Sequence, residues 1–133
     1  MDQILTEAEV DARDHPLVLA SRVKGTPVFD RAGERLGHVD DLSIEKIGGR
    51  VIYAIMSFGG FLGIGEKFHP VPWPLLEYDV VKLGFVVPLD RSILEHAPSY
   101  DPAELRQLGG ADHRSYGSAI YDYYGRYGAS PYW

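Results

Sequence analysis

Val51-Ile52-Tyr53-Ala54-Ile55-Met56-Ser57-Phe58 is the run that decides the fold class. β-Branched and aromatic side chains dominate it, and both of its alternating faces are apolar. Val51, Tyr53 and Ile55 lie on one face; Ile52, Ala54, Met56 and Phe58 lie on the other. A strand of this kind is covered on both sides. One face suits the inside of a small barrel, and the second then needs a cover from elsewhere in the chain.

Working outward toward the N-terminus, Ile47-Gly48-Gly49 forms a hairpin turn. Before it, Arg35 to Glu45 changes apolar phase: Leu36 is even, Val39 odd, Leu42 and Ile44 even. A period of two tolerates that only with a bulge or bend, the device by which small barrels close. Val28-Phe29-Asp30 leads into the turn Arg31-Ala32-Gly33-Glu34, whose glycine supplies a left-handed residue.

Toward the C-terminus, Lys67 to Trp73 alternates, with Pro70 and Pro72 at the same parity. Proline has no N–H, so one side of this strand is without donors there, which predicts an edge strand or one at an opening in the barrel. A last strand is expected from Val80 to Leu89, interrupted by Gly84, with Phe85, Val87 and Leu89 on one face. Asp90 then caps a short helix through Ile93 and Leu94 that Pro98 ends. Asp101-Pro102-Ala103-Glu104 opens another, with a cap, a first-turn proline and an acid at the third position; Gly109-Gly110 should stop it.

These readings divide the 133 residues into an acidic leader (1–16), a barrel domain (17–98), and a short helix followed by an aromatic arm (99–133). The leader is either a short helix capped by Thr6 with Glu9 or a frayed terminus. The arm holds seven of the nine tyrosines and no phenylalanine, so its composition differs from that of the barrel. Ile120, Tyr121, Tyr123, Tyr124, Tyr132 and Trp133 are too much apolar surface to leave in water. The expectation is a packed arm across the second face of the Val51–Phe58 strand, on its own subunit or on a neighbour. Gly117, Gly125 and Gly128 would let a flat backbone approach the sheet.

Composition narrows the function. Cysteine is absent, which removes disulfides, thiolate metal sites and cysteine nucleophiles. The formal net charge is −6, of which residues 1–16 contribute −4; residues 17–98 carry ten acids and nine bases. A nearly neutral barrel with no basic patch predicts no tight nucleic-acid binding. No apolar run approaches the ~20 residues that span a bilayer. The leader lacks the regions of a signal peptide. A cytoplasmic protein without membrane insertion is the expectation.

Leu17 to Pro98 resembles a PRC-barrel domain. The residues that carry the likeness are Gly25-Thr26-Pro27-Val28, Gly33-Glu34-Arg35-Leu36-Gly37, Ser57-Phe58-Gly59-Gly60-Phe61-Leu62-Gly63-Ile64-Gly65-Glu66-Lys67, and Pro70-Val71-Pro72-Trp73. Tyr123-Tyr124-Gly125-Arg126 and Pro131-Tyr132-Trp133 resemble the endings of stand-alone bacterial members. The resemblance implies a mainly β fold: a small, partly open, SH3-like barrel used as a docking or assembly surface. The namesake is the cytoplasmic part of the photosynthetic reaction-centre H subunit, and a related barrel belongs to a ribosome maturation factor. Two alternatives to a docking module follow: an accessory of reaction-centre or other membrane electron-transfer assembly, and a ribosome- or RNA-maturation accessory. Without a membrane helix and without the maturation factor's N-terminal domain, the chain departs from both.

Three stretches invite a chemical reading. Gly60 to Lys67 superficially suggests a phosphate loop, but Glu66 intervenes before Lys67 and Phe68 follows, so a glycine hairpin loop is favoured. The five histidines have no metal-ligand spacing, and His38 beside Asp40 and Asp41 reads as a surface ion-pair cluster. No Gly-x-Ser-x-Gly nucleophile elbow occurs. The chain is therefore expected to be no enzyme and to hold no cofactor and no metal. The candidate interaction surface comprises Pro70, Pro72, Trp73, Tyr121, Tyr123, Tyr124, Tyr132 and Trp133. Trp73 is either a barrel-closing core aromatic or an exposed anchor. The expected assembly is a homodimer, with the protein partner unknown.

Overall fold

The computed structural model describes residues 17–58, 67–106 and 113–129, with side chains in the last segment from Ser118 onward. The leader, the glycine loop at 59–66 and the final Tyr132 and Trp133 lie outside the described residues, as does the expected helix stop at Gly109-Gly110. In chain order the elements are α1 (Ala20–Val23), β1 (Pro27–Phe29), β2 (Arg35–Ile44), β3 (Val51–Ser57), β4 (Phe68–Pro72), a 3₁₀ turn (Trp73–Leu75), β5 (Glu77–Asp79), β6 (Gly84–Val86), α2 (Arg91–Glu95), α3 (Pro102–Leu105) and α4 (His113–Tyr124). A second 3₁₀ turn, Gly125–Tyr127, follows α4.

The strands form one six-stranded sheet in the order β4-β3-β2-β1-β6-β5. All neighbouring pairs are antiparallel except β1 and β6. The sheet is mainly β, curled and not closed, as the likeness implied.

The curvature comes from β2. Opposite β1 the register jumps from Gly37 to Arg35, leaving Leu36 unopposed; opposite β3 it jumps from Val39 to Asp41, leaving Asp40 unopposed. Each extra residue flips the parity once. The first flip lets Leu36 and Val39 both turn inward although their spacing is odd, and both are buried; the second puts Val39 and Leu42 on one face. It also brings Leu42 opposite Ala54. The bulges at Leu36 and Asp40 thus account for the phase changes in the sequence.

Gly37 sits where β2 crosses closely over β3. A Cβ there would lie 2.3 Å from the Ser57 carbonyl oxygen, a backbone atom that cannot swing away. Gly33 has φ +89°, the left-handed conformation expected of it.

The expected strand from Val80 to Leu89 is corrected. Val80 to Leu83 form the turn of a β5–β6 hairpin, and regular pairing resumes at Gly84. The Asp79 carboxylate accepts the N–H groups of Val81 (2.9 Å) and Lys82 (3.0 Å), and Leu83 takes φ +52°. An aspartate able to cap the turn outweighs the strand propensity of Val-Val here. Phe85, Val87 and Leu89 are nevertheless all buried, as the alternation required.

Both helix starts form. Asp90 accepts the Ile93 N–H at 2.8 Å, and Asp101 makes a reciprocal capping box with Glu104. The Glu104 N–H, the leading cause, holds the Asp101 carboxyl below its ordinary value. The core runs from Val28, Val39, Met56 and Val71 through Leu89 and Leu94 to Ile120 and Tyr124 of α4.

Candidate interaction surface

The register fixes which residues share a face. Tyr53 stands opposite Pro72 and Ile55 opposite Pro70, whereas Ala54 stands opposite Val71 and Met56 opposite His69. The second set faces the barrel interior, together with Val39, which pairs with Met56. The first set faces outward, and this is the apolar face that needs a cover.

That cover is α4. Tyr121 packs against Tyr53 with ring centroids 5.9 Å apart, and Ile120, Tyr121 and Tyr124 are buried. Tyr123 donates from its hydroxyl to the Ile93 carbonyl oxygen, tying α4 to α2. Burial raises the Tyr123 and Tyr124 hydroxyls above the ordinary tyrosine value. The arm packs within its own chain, but as a helix and not as a flat strand. Ile120, Tyr121, Tyr124 and Tyr127 recur at i, i+1, i+4 and i+7, a helical stripe in the sequence. Gly128, at φ +100°, ends the helical segment.

β4 is an edge strand, as its prolines indicated, yet it is not an open one. All five of its residues are buried. Phe68 exchanges both backbone hydrogen bonds with Tyr100 at 2.9 Å, so residues of its parity point away from β3. Pro70 and Pro72 share that parity and present no donor there. Proline chemistry, the Tyr100 bridge and α4 together close this edge against strand addition.

The expected interaction surface changes for those of its residues that are described; Tyr132 and Trp133 lie outside them. Pro70, Pro72, Tyr121 and Tyr124 are interior residues and offer no contact surface on this chain. Trp73 and Tyr123 are half-buried against the core. Trp73 packs edge-to-face with Phe85 at 5.5 Å, and Tyr78 does the same at 5.4 Å. Trp73 follows β4, one end of the sheet; Phe85 and Tyr78 belong to the other end. The aromatic row therefore fills the gap between the two ends, which supports the barrel-closing reading of Trp73.

Two polar groups stand out in the interior. His69 is buried, with its ring 4.5 Å from Phe58, and its Nδ1 has no hydrogen-bond partner among the described residues. Burial alone pushes its pKa from 6.5 down to about 4. The Tyr124 hydroxyl is likewise buried with no partner among the described residues. His38 Nε2 lies 3.8 Å from Asp40 on the partly exposed surface, a solvated pair of little energetic weight. Among the described residues no group of three or more His, Asp or Glu is arranged to hold a metal ion.

Among the described residues the surface exposes apolar side chains in three places that sequence reasoning missed, one of them Ile44 and Ile47 at the β2–β3 turn. Leu17, Val18 and Leu19 precede α1, and Val80, Val81 and Leu83 form the β5–β6 turn. The β5–β6 turn could have been found from the Asp79 turn signal.

An open, bulge-curved sheet sealed by an aromatic row defines a class of small barrel modules. The PRC-barrel domain family model matches residues 16–94, more than half of the chain, and the protein belongs to that family. No curated protein matches the chain.

Proposed function

We propose that this chain is a non-enzymatic docking module that works in the cytoplasm and self-associates as a homodimer. The observation that carries the reading is membership of the PRC-barrel family, which suggests a protein-interaction role. The open sheet supports it. Its β4 end is closed by Pro70, Pro72, Tyr100 and α4, so contact by strand edge falls to the β5 end, where Glu77 and Tyr78 are exposed. Among the described residues no helix is long and apolar enough to cross a membrane.

Light scattering on the eluting peak tests the self-association. A dimer mass at tens of micromolar is expected, and a monomer mass throughout that range overturns it. Partner capture by the full chain, compared with a variant carrying Tyr78→Arg on the β5 edge, tests the docking surface. A partner retained equally by both places the contact elsewhere.

A further inference from the structure

The β5–β6 turn combines features that a solvent-facing turn does not need. Turns are ordinarily built from Gly, Asn, Asp and Ser. Here Asp79 is followed by Val80-Val81-Lys82-Leu83, and Val81 is 88% exposed, Val80 46% and Leu83 37%. The geometry is fixed, not slack: the Asp79 carboxylate holds the Val81 and Lys82 N–H groups, and Leu83 takes the left-handed conformation that non-glycine residues disfavour. A preorganised apolar wedge is thus held out from the barrel.

The charges around the wedge are unequally committed. Asp79 is occupied with the turn, Asp30 accepts the Glu34 N–H, and Glu34 pairs with Arg91 at 3.4 Å. Lys82 crosses the Phe29 ring, 5.9 Å from its centroid, toward Gly33 in the turn that carries Arg31. Lys82 and Arg31 are exposed and have no ion pair among the described residues. Glu77 lies two residues before Asp79, farther down the hairpin. The tip therefore offers apolar side chains beside two exposed cations that make no ion pair among the described residues.

These observations discriminate among occupants. Joining two copies tip to tip would oppose Lys82 to Lys82, and like charges in register are unfavourable. A globular protein partner needs ~800 Å² from each side, whereas the wedge offers roughly 300 Å². A lipid surface has no such threshold. It accepts a shallow apolar wedge, and anionic headgroups complement nearby lysine and arginine. The chain's net charge of −6 opposes this only weakly at ~0.1 M salt, where charges beyond about 10 Å are screened.

We infer that the β5–β6 turn is a peripheral docking wedge for the interfacial region of an anionic bilayer, with Val80, Val81 and Leu83 entering the headgroup boundary beside Lys82 and Arg31. The inference is independent of the docking reading above, because it uses a different surface and requires no protein partner.

Co-sedimentation of the full chain with phosphatidylcholine vesicles, with and without phosphatidylglycerol, tests it. Binding to the anionic vesicles is expected, weaker than a myristoyl chain provides and half-complete at ~1 mM lipid. Val81→Asp, at a site exposed enough to leave the fold intact, should remove binding to both vesicle types. Lys82→Glu should lower binding to the anionic vesicles about tenfold and leave the neutral ones unchanged. Unchanged melting temperatures verify that both variants fold. No sedimentation with anionic vesicles overturns the inference. So does binding that survives Val81→Asp, since it would come from charge alone.

Discussion

Adjacent tyrosines on α4 should respond in opposite directions to the same substitution. Tyr124 is fully buried and its hydroxyl has no hydrogen-bond partner among the described residues, while Tyr123 donates to the Ile93 carbonyl. A buried hydroxyl left unpaired costs about 1–3 kcal/mol in lost hydration. Tyr124→Phe removes that cost and leaves only a one-atom void, so a net gain of about 1 kcal/mol is expected. For a domain of this size that raises Tm by roughly 3–5 °C. Tyr123→Phe instead loses a hydrogen bond worth about 0.5–1.5 kcal/mol and should lower Tm by a similar amount. Urea unfolding followed by tryptophan fluorescence, with thermal melts, measures both. A loss of stability in Tyr124→Phe would mean that the hydroxyl is paired after all, and the account of α4 as a dry apolar cover would be wrong. Equal shifts of the same sign in both variants would refute the assignment of the Ile93 contact.

Three further outcomes follow. Truncation after Gly110 removes Ile120, Tyr121 and Tyr124 from the outer face of β3 and β4; Tm should fall by more than 10 °C and an apolar dye should bind, whereas an unchanged melt would make α4 an appendage. Gly37→Ala drives a methyl into the Ser57 carbonyl and should cost about 1–3 kcal/mol, checked by the urea midpoint; a neutral result would mean the crossing is looser than drawn. His69 is buried neutral, with its pKa lowered to about 4, so the unfolded chain takes up the proton first as pH falls below 6.5. Stability is fully present above pH 6.5 and declines down to about pH 4, by at most about 3 kcal/mol, and His69→Phe should flatten that part of the profile.

The local chemistry was legible in the sequence because its causes are local. The Val51–Phe58 alternation, the Asp90 and Asp101 caps, the left-handed Gly33 and the missing donors of Pro70 and Pro72 each depend on a few neighbouring residues. The phase changes in β2 announced a bulge, although pairing was needed to place it at Leu36 and Asp40. Val80–Leu89 misled because Val-Val favours a strand on its own, and only the carboxylate of Asp79 closing back on the backbone makes it a turn.

The sequence by itself determined a bulge-curved sheet, an edge marked by proline, and one strand whose second apolar face required a cover. Only the tertiary structure decided what the cover is and what it leaves accessible. A helical stripe and a flat aromatic arm are both compatible with Ile120, Tyr121 and Tyr124. Placing that stripe on Tyr53 removes Pro70, Pro72, Tyr121 and Tyr124 from the surface in a single contact. Exposure is a property of pairs of elements distant along the chain, so a residue's own chemistry cannot report it. That is why Tyr121 and Tyr124, expected at an interaction surface, are core, while Val81, a strand former by type, is the most exposed apolar residue of its hairpin.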